Sequence, residues 1–542
     1  MTDLSIDALR LLPALIPSAG VVAILVLDLV SPRLRRLPFS VALLASLGSA
    51  AATLPGLRLG AGETLATLCL GAGAPSPAAI EGLPQTCFWQ VSSLGSTLQL
   101  AAALAAALTI VLAWPWTPGT DDPGVTTVVE RRDVRREPIE AILLLTALTG
   151  AVVVAASRDA GTWLIGLELA TLPIVALIAL SGTRSAIAGA VQLLITSLVS
   201  FALLVLGVAL WFAASGSPFF TADAALRAEA STASGGAGVL ALSVALVITG
   251  LGFKLSLVPF HAWTPTAYAG SRTAVAAFLA TVSKIGALAA LLVVLQALTA
   301  IGGSALIIIA VISIASMTLG NIMALRQDNV VLLLAWSTVA QAGWVVLPLV
   351  SMSTGGDRAA ATYLLTYVVA TLVAFAVVGM TVRELPSRGR TLAAYTGLWQ
   401  RSPWRAGALA LALTSLAGLP PGVIGLVGKV VALRPVVAEG WVWLALVAAA
   451  NAVLGVAVYT RWLRPIITTG TPEGALAPEL PVPAAAEAVE TPEPAPARRR
   501  PGRSVRLHAP VERVALMFAL VVASVLLVAV SVQPDLLLGL LG

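Results

Sequence analysis

Residues 252–265 read GFKLSLVPFHAWTP, which places Lys254 and Pro259 inside a stretch otherwise apolar enough to cross a bilayer. A lysine near the bilayer centre costs about 2.5–3.5 kcal/mol on insertion scales, so it must face a polar interior. Pro259 removes one helix hydrogen bond and frees a carbonyl. Unwound backbone at membrane depth is tolerated where it lines a polar cavity, and such breaks often mark ion sites. The stretch therefore predicts a transport helix within a polytopic membrane protein.

The whole chain agrees. Its 542 residues are 58% hydrophobic and 11% charged, with a mean hydropathy of +0.96. Soluble domains carry roughly 25% charged residues, so a large soluble enzyme is excluded. Two cysteines exclude an iron–sulfur or thiolate metal scaffold, and two histidines argue against a haem or polyhistidine site. The net charge of +6 does not indicate nucleic acid, because the arginines sit in short loops between apolar runs. Met1–Leu9 holds two aspartates and no basic residue, so no cleavable leader is expected.

Fourteen spans are predicted, near 11–30, 38–58, 94–114, 139–157, 161–181, 186–213, 238–268, 273–298, 301–325, 329–350, 360–383, 406–434, 441–464 and 512–532. The seventh and twelfth are too long and irregular for single ideal helices. One alternating set of loops holds Arg33, Arg35, Arg36, Arg131, Arg132, Arg135, Arg136, Arg383, Arg388, Arg390, Arg401 and Arg405, then Arg461 through Arg506. The opposite set holds scattered arginines such as Arg58, Arg158, Arg227 and Arg358. The positive-inside rule makes the first set cytoplasmic and puts both termini outside.

Two loops stand apart. The external segment 59–93 is rich in Gly and Pro and holds Cys69 and Cys87. Its oxidising side predicts a disulfide between them; two free thiols are the alternative, since sequence gives no distance. Residues 466–510 are rich in Pro, Ala, Glu and Arg, a composition that cannot bury itself and predicts a flexible cytoplasmic loop.

Of the 32 basic residues, 29 are arginine and three are lysine: Lys254, Lys284 and Lys429, all inside predicted spans. Arginine stays protonated, whereas a desolvated lysine can titrate near neutrality. Only Glu168 is a clearly intramembrane acid, with Asp28 and Glu140 near span ends, so three ion pairs cannot be completed. The lysines read as a proton path, with Gln192, His261 and Gln341 among the polar side chains that hold water between charged sites. A second break, Gly418-Leu419-Pro420-Pro421-Gly422, precedes Lys429. The two breaks lie five spans apart, an odd offset that makes spans 4–8 and 9–13 candidate inverted repeats. The chain thus divides into 1–137 with three spans, 138–300 and 301–465 as the repeats, loop 466–510, and a last span in 511–542.

The stretch KLSLVPFHAWTPTAYAGSRT from Lys254 to Thr273 resembles the antiporter-like subunits of respiratory complex I. The likeness extends through AFLATVSKIGAL around Lys284, GLELATLP around Glu168, and SLAGLPPGVIGLVGK ending at Lys429. Within that family the pattern is most similar to the subunit-N branch of the proton-pumping NADH–quinone oxidoreductase. Lysine at 429 fits subunits N and L better than M, and no residues remain after 542 for the long lateral helix of L.

The resemblance implies an all-α fold of about fourteen transmembrane helices, with two inverted five-helix repeats and discontinuous helices seven and twelve. It implies proton transfer through Glu168, Lys254, Lys284 and Lys429, driven by NADH oxidation and quinone reduction elsewhere. No cofactor is expected in this chain, with flavin, iron–sulfur clusters and quinone in partner subunits. Partners would be other membrane subunits, neighbouring antiporter-like ones included, in the lipid bilayer of a bacterial inner membrane. Two positions depart from the family pattern: Gln192 stands where a helix-six lysine is frequent, and Gln341 stands near a frequent histidine. Two rivals share the pump module: a subunit of a multi-subunit sodium/proton antiporter, and a structural membrane subunit of a related hydrogenase complex.

Overall fold

The computed structural model describes residues 6–30, 36–60, 62–69, 87–115, 136–230, 236–298, 306–352, 355–386, 388–470, 510–534 and 539. The loop expectation for 466–510 therefore lies outside the described residues except at its ends, as do residues 70–86 and the arginines at 33, 35, 131, 132 and 135.

An N-terminal group contains α1 (Ala8–Val30), α2 (Leu37–Thr53), α3 (Ser93–Ala113) and α4 (Arg136–Ala156). Next come α5 (Ala160–Leu169), α6 (Leu172–Ala179), α7 (Arg184–Ser215), α8 (Ala222–Ala230), α9 (Gly236–Leu255), α10 (Trp263–Gly270), α11 (Thr273–Ala280) and α12 (Val282–Leu298). The remaining helices are α13 (Leu306–Leu325), α14 (Val330–Val346), α15 (Gly356–Glu384), α16 (Leu398–Arg401), α17 (Pro403–Ala417), α18 (Val423–Ala438), α19 (Val442–Ile467) and α20 (Pro510–Val532). Among the described residues, 12 helical segments are long and apolar enough to cross a membrane, some formed by two abutting helices. The expected span at 406–434 is divided into α17 and α18, and α20 contributes a shorter apolar stretch, Leu516–Val532.

Helix starts follow from side-chain caps. Asp159 accepts from the Thr162 amide at 2.8 Å, Thr183 from Ala186 at 3.1 Å, and Asn329 from Val331 at 2.9 Å. The helical expectation is modified in three places. Part of segment 59–93 forms a hairpin, β1 (Leu65–Cys69) against β2 (Cys87–Val91), with Cys69 opposite Cys87 and joined to it as a disulfide. The expected single span 161–181 breaks at Ala170–Thr171, because Pro173 in the first turn of α6 has no amide to continue α5. The expected span 273–298 breaks at Thr281 without a proline.

Burial orders the bundle. The α11–α12 segment, α14 and α15 are almost wholly enclosed, whereas α1 and α7 bury only a minor share of their residues. Arginines fasten one end of the bundle. Arg383 donates to the Leu112 carbonyl at 2.7 Å, Arg390 to Ala269 at 2.9 Å, and Arg461 to Leu325 at 2.6 Å. These carbonyls belong to the final turns of α3, α10 and α13, which have no partner within their own helices and attract cations. Arg272 pairs with Glu140 at 2.7 Å at the same end.

Candidate functional site

The site grows from two helix endings with the same hydrogen-bond pattern. At the end of α9, the Leu257 amide donates back to Gly252 at 2.8 Å and the Ser256 amide to Phe253 at 3.0 Å. At the end of α17, Leu419 donates to Thr414 at 2.9 Å and Gly418 to Ser415 at 3.1 Å. Both are Schellman caps, which turn the chain through one left-handed residue. Gly418 fills that position at φ +78 with no Cβ to clash, whereas Ser256 fills it at φ 67. A non-glycine residue there costs about 1–2 kcal/mol. Pro259 and the Pro420–Pro421 pair follow within the non-helical segments, where helix is already excluded.

Each cap leaves the last carbonyls of its helix for other groups. At the first break, Lys284 donates from its ammonium to the Lys254 carbonyl at 2.9 Å and to the Ser256 hydroxyl oxygen at 2.5 Å. The Thr264 hydroxyl, on α10, donates to the same Ser256 oxygen at 2.6 Å. Lys284 also lies 4.8 Å from the Trp263 ring centroid, near enough for a cation–π contact. At the second break, Lys429 donates to the Ala417 carbonyl at 2.6 Å, and Gln341 reaches the Leu416 carbonyl at 3.3 Å.

Among the described residues, one lysine meets an acid. Lys254 lies 3.2 Å from Glu168 and donates to the Thr171 hydroxyl at 2.6 Å. Glu168 sits in the last turn of α5, beside the Ala170–Thr171 break. Lys284 and Lys429 rest instead on neutral oxygens and aromatic faces, Lys429 lying 5.5 Å from the Trp344 ring. All three lysines are buried. Low-dielectric surroundings and neutral partners suit groups that must release and regain a proton.

Gln341 is the hub of the second cluster. Its amide nitrogen donates to Tyr459 at 2.8 Å, and its carbonyl oxygen accepts from Tyr363. Tyr459 is 2.6 Å from Ser337, and Tyr367 is 2.9 Å from Thr338. The Tyr363 ring stacks on Trp344 at 5.7 Å, the same ring that Lys429 approaches. The other expected polar residues sit farther out. Gln192, half-buried on α7, donates to the Ala262 carbonyl at 3.2 Å, and His261 packs 5.4 Å from Trp336. Sequence reasoning missed Ser256, Thr171, Thr264 and the tyrosines. The chain holds only five tyrosines, all buried, and their scarcity was the available signal.

The family model described as NADH:quinone oxidoreductase/Mrp antiporter, TM, matches residues 157–455, which include both breaks and all three lysines. The chain is 38% identical over 485 residues to NADH-quinone oxidoreductase subunit N of Salinispora tropica, covering 86% of each. It is 33% identical over 487 residues to subunit N 2 of Streptomyces griseus, covering 87% of this chain and 84% of that one. Among solved structures it is similar to a chain of respiratory complex I from Thermus thermophilus, at 26% identity and TM-score 0.70 over 97% of this chain and 98% of that one. A chain of the Mrp complex from Dietzia matches at TM-score 0.75 over 99% and 96%, but at 20% identity, a likeness of fold alone.

Proposed function

The chain belongs to the NADH:quinone oxidoreductase/Mrp antiporter membrane family, and on that premise we propose that it moves a proton as the subunit-N component of an NADH–quinone oxidoreductase. The name carried by the Salinispora and Streptomyces relatives, over most of both chains, supports the complex I assignment. The observation that carries the mechanism is the Glu168–Lys254 pair joined to Lys284 at a helix break. When redox chemistry elsewhere changes the charge near Glu168, Lys254 loses or gains its partner. The altered charge is felt at Lys284, whose ammonium is bonded to the backbone of Lys254. Lys429 then serves as the terminal carrier, with the Gln341–tyrosine cluster beside it. The two breaks and their matching caps support reading residues 138–300 and 301–465 as inverted repeats.

In this reading the chain holds no electron carrier. Flavin, iron–sulfur clusters and quinone belong to partner subunits, and both cysteines here are committed to one disulfide. The partners are the neighbouring membrane subunits of the complex. The membrane is a bacterial inner membrane, with the arginine-fastened end in the cytoplasm, as the positive-inside rule supports.

The test uses the assembled complex in sealed vesicles, with NADH and quinone supplied. Lys284→Gln should lower proton uptake per electron while the complex remains assembled. Unchanged uptake would remove the pumping role from this chain. Sodium movement in place of proton uptake would transfer it to the antiporter class.

A further inference from the structure

The two breaks carry the same cap but different residues at its left-handed position. Gly418 is the residue backbone geometry favours there, and Ser256 is not. If Ser256 served only the turn, glycine would serve better. Its hydroxyl, however, is fully buried and takes two hydrogen bonds, from the Lys284 ammonium and from Thr264.

We propose that Ser256 is a positioning residue for proton transfer, acting through Lys284 and held in orientation by Thr264. The claim rests on the pumping role proposed above and adds a residue to it. The Lys254 carbonyl and the Ser256 oxygen form a two-point acceptor for the Lys284 ammonium. The carbonyl is fixed by α9, whereas the hydroxyl is adjustable. Thr264 stands on α10, the second half of the broken helix. A shift of α10 against α9 therefore turns the Ser256 hydroxyl and weakens or strengthens the hold on the Lys284 proton. No proton passes through the serine itself. It accepts hydrogen bonds while the proton leaves and returns on the lysine nitrogen.

Ser256→Gly separates the two roles, because glycine relieves the backbone and removes the hydroxyl. The rate of proton uptake, together with uptake per electron, would be measured in vesicles containing the assembled complex, beside Thr264→Val, Thr264→Ser and Lys284→Gln. The expected result is uptake slowed roughly tenfold in Ser256→Gly, the effect of losing one hydrogen bond to a charged group. Thr264→Val should be slowed in the same direction and Thr264→Ser should retain wild-type uptake. Wild-type uptake in Ser256→Gly overturns the inference, since a turn-forming residue would behave that way. So does a Thr264→Ser variant as impaired as Thr264→Val, because the hydroxyl would then not be what matters. If Lys284→Gln also pumps normally, the pumping role itself fails. If only Lys284→Gln is impaired, the role stands and the serine is removed from it.

Discussion

Lys284 meets Lys254 through the main chain: its ammonium donates at 2.9 Å to the Lys254 carbonyl, while the Lys254 side chain is directed to Glu168. The two lysines are therefore coupled without competing for one carboxylate. A change at Glu168 alters the field at Lys284, and the helix ending keeps the distance fixed. The lysines thus form two linked sites and not one shared ion-pair cluster.

Arginine at position 254 should assemble and pump poorly. Guanidinium satisfies Glu168 with a permanent charge but does not release a proton at physiological pH. Lys284→Arg should behave likewise. Proton uptake per electron in vesicles, with assembly checked on native gels, reads the outcome; full pumping in assembled Lys254→Arg would return that lysine to a structural cation.

Gly425→Ala should block assembly. A Cβ at 425 would lie 1.6 Å from the Ser415 carbonyl oxygen, backbone that cannot move aside where α18 crosses the end of α17. Overpacking costs typically about 1–3 kcal/mol, and backbone overlap exceeds that range. Gly407→Ala, with nothing within 4 Å of its added Cβ, is the control and should assemble normally. Equal amounts of both variants in the membrane complex would contradict this.

Gln341→Leu should lower thermal stability and slow proton uptake. Leucine leaves the Leu416 carbonyl, Tyr459 and Tyr363 each short of one hydrogen bond in a buried setting. An unsatisfied buried group costs about 1–3 kcal/mol. The half-life of solubilised complex at raised temperature, followed beside uptake, checks both effects. A variant with neither defect would show the cluster to be dispensable.

Deleting residues 471–509 should leave proton transfer intact, since their composition does not support a packed core. Loss of pumping in a stably assembled deletion would refute this. Protease added outside sealed right-side-out vesicles should not cut the loop, and cleavage there would refute its cytoplasmic placement.

The apolar runs located the helices, and scarcity located the lysines, because hydrocarbon penalises every charge it contains. Pro259, Pro420 and Pro421 announced two breaks, and Pro173 announced a third beside Glu168 that the continuous hydropathy of 161–181 concealed. The break at Thr281 has no comparable mark. Ser256 was illegible because serine is not a residue that signals left-handed backbone; only the cap geometry exposes it. Gln341 was named as a polar residue, but its role as a hub depends on Tyr363 and Tyr459, which lie on two other helices. Gln192, named for its polarity and as the departure from a helix-six lysine, lies half-buried on α7, and its bond to the Ala262 carbonyl across the first break depends on a fold contact that sequence does not show.

The arginines at one end have a consequence for anyone who tries to rewrite this protein's orientation. Arg383, Arg390 and Arg461 count toward the charge bias that orients a nascent chain, yet each also closes the open end of a neighbouring helix. Insertion and packing thus draw on the same atoms. Neutralising these residues would alter a topology signal and loosen the bundle together, so an inverted or failed insertion could not be ascribed to charge alone. Lysine retains the topogenic charge but does not reproduce the planar fork with which Arg461 holds the Leu325 and Gln327 carbonyls on Nη1 and the Asp328 carboxylate on Nη2. Arg→Lys exchange at these positions therefore separates the instruction for direction from the fastening that follows it.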